Sequence, residues 1–147
     1  VARSNHPWLC VPLMLFAAAA GCGGDFQLGE VSGVVSLDGE PLSGASLYFQ
    51  PQRQGEGLMV GPPSIGVTDE RGHYTLKTSE GSYGAVVGPH KVSISTFESR
   101  MVDPKNSDRV ETVSKERVPA RYRAPSELTF TVSPSGSSEA DFDLTTR

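Results

Sequence analysis

Val31-Ser-Gly-Val-Val-Ser-Leu-Asp-Gly-Glu-Pro-Leu42, followed by Ala45-Ser-Leu-Tyr-Phe49, is the stretch that decides the fold. Val31, Gly33, Val35 and Leu37 fall on one face of an extended chain, and Ala45, Leu47 and Phe49 fall on one face of the next run. Between them stands Asp38-Gly39, a dipeptide that supplies a tight turn. The expectation is a hairpin-like pair of strands about that turn.

The same alternation continues outward. Pro51 ends the second run, and 51–64 reads as a Gly- and Pro-rich loop with one apolar patch, Leu58-Met59-Val60. Residues 65–68 and 73–78 form a second expected pair about Asp69-Glu70-Arg71-Gly72, with Asp69 capping the turn and Gly72 taking positive φ. Tyr74 and Leu76 alternate on its return strand. In 90–96, Val92 and Ile94 point inward while Lys91, Ser93 and Ser95 point outward; later, Leu128, Phe130 and Val132 are expected to face Ala140, Phe142 and Leu144. Seven short alternating strands without a helical period predict an all-β fold, a seven-stranded antiparallel two-sheet sandwich over residues 30–147. Residues 97–127 break the rhythm. Their length predicts a functional or partly ordered connection rather than a plain loop.

Composition agrees. Among 147 residues, 16 Gly and 11 Pro favour turns and short strands over long helices. A net charge of −4 with no basic block removes the electrostatic footing for nucleic-acid binding. The first 21 residues read as a targeting segment, with Arg3 as a small positive region and an uncharged run over 8–20 that is too short to span a bilayer, which needs about 20 apolar residues.

Ala19-Ala20-Gly21-Cys22 resembles the lipobox of bacterial lipoproteins, in which the cysteine is acylated and becomes the mature N-terminus. The expectation is a signal peptide over 1–21, lipidation at Cys22, and a Gly-rich tether over 22–29. Each acyl chain contributes about 0.8 kcal/mol per buried CH₂, so several chains anchor durably. The competing reading is ordinary secretory cleavage after Ala18-Ala19-Ala20, which leaves Cys22 as a free thiol. Cys10 lies in the discarded run under either reading, so no disulfide is expected.

Taken in order, the 31–42 and 45–49 segments, Val67-Thr-Asp-Glu-Arg-Gly-His-Tyr-Thr-Leu76, Gly84-Ala-Val-Val-Gly-Pro-His-Lys-Val-Ser-Ile94 and Val118-Pro-Ala-Arg-Tyr-Arg-Ala-Pro-Ser-Glu-Leu128 resemble the carboxypeptidase regulatory-like domain of small bacterial envelope lipoproteins. The resemblance implies a transthyretin-like (prealbumin-like) β-sandwich and a non-catalytic accessory or structural module. It brings no agreed molecular activity and no site residues.

Motifs for chemistry are sparse. His73 and His90 have no His-x-x-x-His or cysteine spacing that seats zinc, and a histidine beside a turn glycine or at a strand start is expected to be exposed. Tyr48, Tyr74, Tyr83 and Tyr122 accompany those histidines without the paired spacing of sandwich-type iron dioxygenases. Without a Gly-x-Ser-x-Gly elbow or a phosphate loop, the expectation is no cofactor, no metal and no catalysis.

Strand parity supplies a different candidate. If each strand reverses direction, the turns at 38–39 and 69–72 and the 97–127 segment gather at one end, away from the tether. Asp38, Glu40, Asp69 and Glu70 then mark a ligand- or partner-facing surface. The plain reading is that they are solvated turn caps, and for calcium they supply only part of the six to eight oxygens required. Parity also puts Leu58-Met59-Val60 at the tethered end, where the loop is expected either to reach lipid headgroups or to fold back under the sheet.

The functional expectation is a lipoprotein of the cell envelope, held by acylated Cys22 to a bacterial membrane, outer membrane or cell surface. Its sandwich acts as a structural or protein-interaction module. The alternative is a carbohydrate-binding module, whose aromatic candidates are Tyr48, Tyr74, Tyr83 and Tyr122.

Overall fold

Asp38 and Gly39 both take positive φ, at 52° and 86°, which is the type I′ geometry that matches the twist of a two-residue hairpin. In the computed structural model, residues 26–55, 60–101 and 110–147 are described. The expected signal segment, Cys22, residues 23–25 of the expected tether, Leu58 and Met59 lie outside them.

The strands are β1 (Leu28–Gly29), β2 (Ser32–Leu37), β3 (Glu40–Pro41), β4 (Ser46–Pro51), β5 (Ser64–Val67), β6 (His73–Thr75) and β7 (Lys77–Thr78). They continue as β8 (Ala85–Val86), β9 (Gly88–Ser95), β10 (Glu98–Met101), β11 (Val110–Ser114), β12 (Thr129–Val132) and β13 (Phe142–Leu144). One sheet runs β12-β9-β4-β5-β7, and the other runs β13-β2-β3 with β6 also on β2. The protein is an all-β sandwich. Every one of the seven expected strands is present, the 73–78 run being divided into β6 and β7. Five further short strands, β1, β3, β8, β10 and β11, raise the number above seven.

Three pairings differ from the sequence reading, each for a local reason. The 31–37 and 45–49 runs do not pair: the Asp38-Gly39 hairpin joins β2 to the two-residue β3, and β4 lies in the opposite sheet. Leu42 turns inward, donating its N–H to Val35 O at 2.9 Å and burying its side chain, and Gly44, at φ 67°, redirects the chain across the core. Thr68 fixes that corner, its Oγ1 donating to Leu42 O at 2.6 Å and accepting from Ala45 N at 2.8 Å.

The second expected pair is split as well. β7 pairs with β5, whereas β6 pairs with β2, so one short run bridges both sheets. The third difference is direction. β13 runs parallel to β2, with Phe142 opposite Val35 and Leu144 opposite Leu37, so the sandwich is not antiparallel throughout. A Cβ at Gly33 would collide with the Ala140 carbonyl, and only glycine admits this approach of the segment leading into β13.

The core fills the space between the sheets. Val35, Ala45, Leu47, Phe49, Leu76, Val92, Ile94 and Ala140 are fully buried. Phe49 is its hub, with the rings of His90, Phe130, Phe142 and Tyr74 at centroid distances of 5.9, 6.0, 6.1 and 6.5 Å. Those are favourable aromatic separations, and they tie β4 to strands of both sheets. The Phe130–Phe142 contact, at 6.3 Å, realises the facing expected of 128–132 and 139–144.

Candidate functional site

The loops 38–45, 68–72, 115–118 and 145–147 meet at one end of the sandwich. Gly44 N–H donates to Thr68 O at 3.1 Å, Val35 N–H to Gly72 O at 2.9 Å, Arg117 Nη2 to Ser43 O at 2.6 Å, and Asp38 N–H to Leu144 O at 2.8 Å. At the opposite end, Phe26 packs against Gly61, β1 pairs with β8, and Gly29 packs on Ser133 and Gly136. The described chain therefore starts at the end away from the Asp38 and Asp69 turns.

Of the four acids singled out, two are engaged within their own end. Asp38 accepts from Thr146 N at 2.9 Å and Thr146 Oγ1 at 2.7 Å, and these bonds hold its carboxyl below the usual range. Asp69 accepts from Arg71 N at 2.8 Å and His73 N at 2.9 Å, and the His73 and Arg71 amides lower its pKa in the same way. Asp69 caps its own turn on two backbone N–H groups, whereas Asp38 holds Thr146 of the last segment. Glu40 and Glu70 are exposed at the same end. Among the described residues no group of three or more His, Cys, Asp or Glu is placed to hold a metal ion.

Another acid, Glu116, organises this end more tightly. Its Oε2 accepts from Ser95 Oγ at 2.5 Å, and its Oε1 accepts from Thr96 N at 3.0 Å, Thr96 Oγ1 at 3.1 Å and Val118 N at 2.8 Å. Burial pushes its pKa up, but these four donors outweigh it and bring the carboxyl to about 2. The carboxylate closes the base of the β10–β11 hairpin onto the end of β9. Arg121 Nη2 donates to the carbonyls of Thr145 and Arg147, holding the last residues. A lone glutamate in a polar segment carries no periodic signal, so the pattern of the sequence did not mark it.

The histidines divide. His73 is exposed as expected, but His90 is 1% exposed, which corrects the expectation for it. His90 lies two residues before Val92 on the inward face of β9, so the alternation that buries Val92 and Ile94 buries it too. Its Nδ1–H donates to Gly88 O at 3.0 Å, while Nε2 has no partner. Burial lowers its pKa. A cavity of about 170 Å³ lies beside it, lined by Phe26, Pro51, Gln54 and Val86 among others.

The four tyrosines also separate. Tyr74 is buried and donates to Ala140 O at 2.5 Å; burial, and then the Asp141 charge, raise its pKa. Tyr122 lies under the Arg121 guanidinium at 4.7 Å, and Tyr83 under Lys77 Nζ at 4.4 Å. Tyr48 is 39% exposed on the outer face of the five-stranded sheet. Two clefts of about 410 Å³ each adjoin there, sharing Tyr48, Ser93 and Ala124; one extends to Phe97, Glu116 and Arg123, the other to Gln50 and Lys91.

No protein-family model matches this chain, and no curated protein matches it. Among solved structures it is similar to the crystal structure of a 9R-lipoxygenase from Cyanothece PCC8801, at 16% identity and a TM-score of 0.33. That similarity covers 81% of this chain and 16% of the lipoxygenase chain. No helix among the described residues is long and apolar enough to cross a membrane.

Proposed function

We propose that this chain is an envelope lipoprotein held to a bacterial membrane by acylated Cys22, and that its sandwich is a non-catalytic structural or protein-interaction module. The observation that carries the reading is the separation of the two ends. The described chain begins at Phe26 beside β8 and the 133–136 turn, while the loops bearing Asp38, Glu40, Asp69 and Glu70 gather at the opposite end. A chain tethered four residues before Phe26 turns that loop cluster away from the bilayer, where a partner has access. The bonds of Asp38 to Thr146 and of Asp69 to its own turn support a rigid presenting surface rather than a reactive one. Glu40 and Glu70 supply its exposed charge. The sequence resemblance to the carboxypeptidase regulatory-like domain agrees with this reading but adds no partner.

In-cell crosslinking of the tagged full-length chain, with Cys22→Ala as control, tests it. A protein adduct that recurs in the lipidated chain and disappears in the control is the expected result. Recovery of the same adduct from both forms would contradict anchored presentation.

A further inference from the structure

We propose that the outer face of the five-stranded sheet pairs two copies of this chain, related by a two-fold axis that runs along the strands. This surface is separate from the loop-bearing end assigned above to a protein partner.

Large apolar side chains left in water gather on this face. Tyr48, Ile65, Val67, Tyr83 and Phe97 are each 39–60% exposed. Strand register makes them neighbours: Ser93, Tyr48, Ile65, Lys77 and Tyr83 stand opposite one another in a single row across β9, β4, β5, β7 and the residue bridged to β7. Val67 lies two residues from Ile65 on the same side, opposite Ser46, and Phe97 shares a cleft with Ser46 and Tyr48. Taking about 150–250 Å² for a large side chain, the exposed fractions of these five come to roughly 500 Å² of contiguous apolar surface. Scattered apolar residues need no partner, whereas a patch of this size marks an interaction surface. Two copies that cover it remove about 1,000 Å² from water, the area at which a specific interface begins.

The arrangement of the face selects the occupant. β4, β5 and β9 are each hydrogen-bonded to a neighbour on both sides, so the occupant packs side chains on side chains rather than adding a strand. Charge does not call for a foreign partner, since Lys77 is the one charged residue of the row and its Nζ lies over the ring of Tyr83. A second sheet face meets these conditions, and this face fits itself. Residues 123–126 form a wall beside β9, lining the clefts over Tyr48 and Ser93. A two-fold across the strands sets that wall against its own copy. A two-fold along the strands, between β4 and β5, instead sets Tyr48 on Ile65 of the second copy and Ser93 on its Lys77. The same axis brings Ala124 and Pro125 beside the second copy's Tyr83, and each contact occurs twice. Because the strands run between the two ends of the sandwich, this axis also leaves both chain starts on one side, which is compatible with two copies in one membrane.

The test combines sedimentation equilibrium with site-specific photocrosslinking of the full chain. Sedimentation is run on the parent and on Cys22→Ala, which removes association through acyl chains. Both are expected to show a concentration-dependent dimer, weakened about tenfold or more by Ile65→Ser and by Tyr48→Ser and unaffected by Glu70→Ser. Circular dichroism and unfolding confirm that the variants keep the sheet, as these side chains point outward. A photoreactive residue at position 65 is expected to give an adduct of two chains whose peptide map joins it to Ser46–Pro51 of the second copy. A monomer at every concentration, a dimer confined to the acylated chain, or a dimer indifferent to both Ile65→Ser and Tyr48→Ser would each overturn the proposal. So would an adduct at position 65 that joins another protein, lipid or residues 102–109 of the same chain. The peptide map tells a self-adduct at the sheet from a partner adduct at the loop-bearing end, so the two readings fail separately.

Discussion

Thr96 is held to the 116–117 segment from both sides: Glu116 Oε1 accepts the Thr96 N–H at 3.0 Å, while Thr96 Oγ1 accepts the N–H of the next residue, Arg117, at 2.7 Å. The end of β9 and the segment after β11 are thereby joined by side chains acting on each other's backbone. This is why the long segment after Phe97 returns to the sandwich and leaves its hairpin projecting.

Replacing Glu116 with Gln is predicted to loosen that junction. The amide keeps the shape but loses the charge and one of two acceptor oxygens, with a cost of roughly 1–3 kcal/mol. Denaturant unfolding at neutral pH measures it, and a loss below about 0.3 kcal/mol would show that the junction is held by other contacts.

The acid dependence of the same group has a definite sign. The Glu116 pKa lies at about 2, below its ordinary 4.5, so its contribution is complete above the ordinary value and is lost as pH falls toward 2. The difference in unfolding free energy between the parent chain and Glu116→Gln is predicted to be constant above pH 5 and to shrink below it. A difference that grows on acidification would reverse the assignment.

His90 acts in a higher window. Its pKa is lowered by burial, so the folded state favours the neutral ring and stability falls as pH drops below the usual histidine value of about 6.5. Besides Gly88, the residues around it include Phe49, Pro51, Gln54, Val86 and Phe130, none of which offers a compensating charge. His90→Phe is predicted to flatten the loss of melting temperature between pH 7 and 5. An unchanged slope in that variant would place the titration elsewhere.

Phe49 is predicted to be among the costliest core positions. Truncation to Ala removes its ring contacts to both sheets and leaves a cavity, for about 3–5 kcal/mol. Tyr74→Phe leaves the Ala140 carbonyl unpaired beside β2, for about 1–3 kcal/mol. Equilibrium unfolding ranks the two, and the reverse order would contradict the assignment of Phe49 as hub.

The end-loop acids are predicted to split into two classes. Asp38→Ala and Asp69→Ala lose bonds to Thr146 and to Arg71 and His73, and each lowers the melting temperature, whereas Glu40→Ala and Glu70→Ala fall within about 0.5 kcal/mol of the parent. Adding calcium or a chelator should leave the melting temperature unchanged. A calcium-dependent rise would return these carboxylates to a metal role.

Much of the fold was legible from period-2 alternation. Ala45, Leu47 and Phe49, then Val92 and Ile94, then Phe142 and Leu144 are inward as the pattern requires, because a strand offers its core alternate side chains. His90 follows the same parity, so its burial was present in the pattern and was outweighed by its polarity. Strand pairing was less legible. Whether β4 lies beside β2 or across the core from it depends on Leu42, Gly44 and Thr68 acting together, and periodicity cannot report such contacts. Asp38 and Asp69 were visible as turn acids from their neighbours, and Tyr48 as an outward residue from Leu47 and Phe49. Glu116 was not visible, because its four donors come from segments on both sides of the hairpin.

The most direct test of the account is intact and N-terminal peptide mass analysis of the chain recovered from bacterial membranes. Residues 1–21 are predicted to be absent and the mature chain to begin at Cys22 carrying thioether-linked diacylglycerol, with Cys22→Ala released from the membrane. A mature chain that begins after Ala20 with an unmodified Cys22 would contradict it.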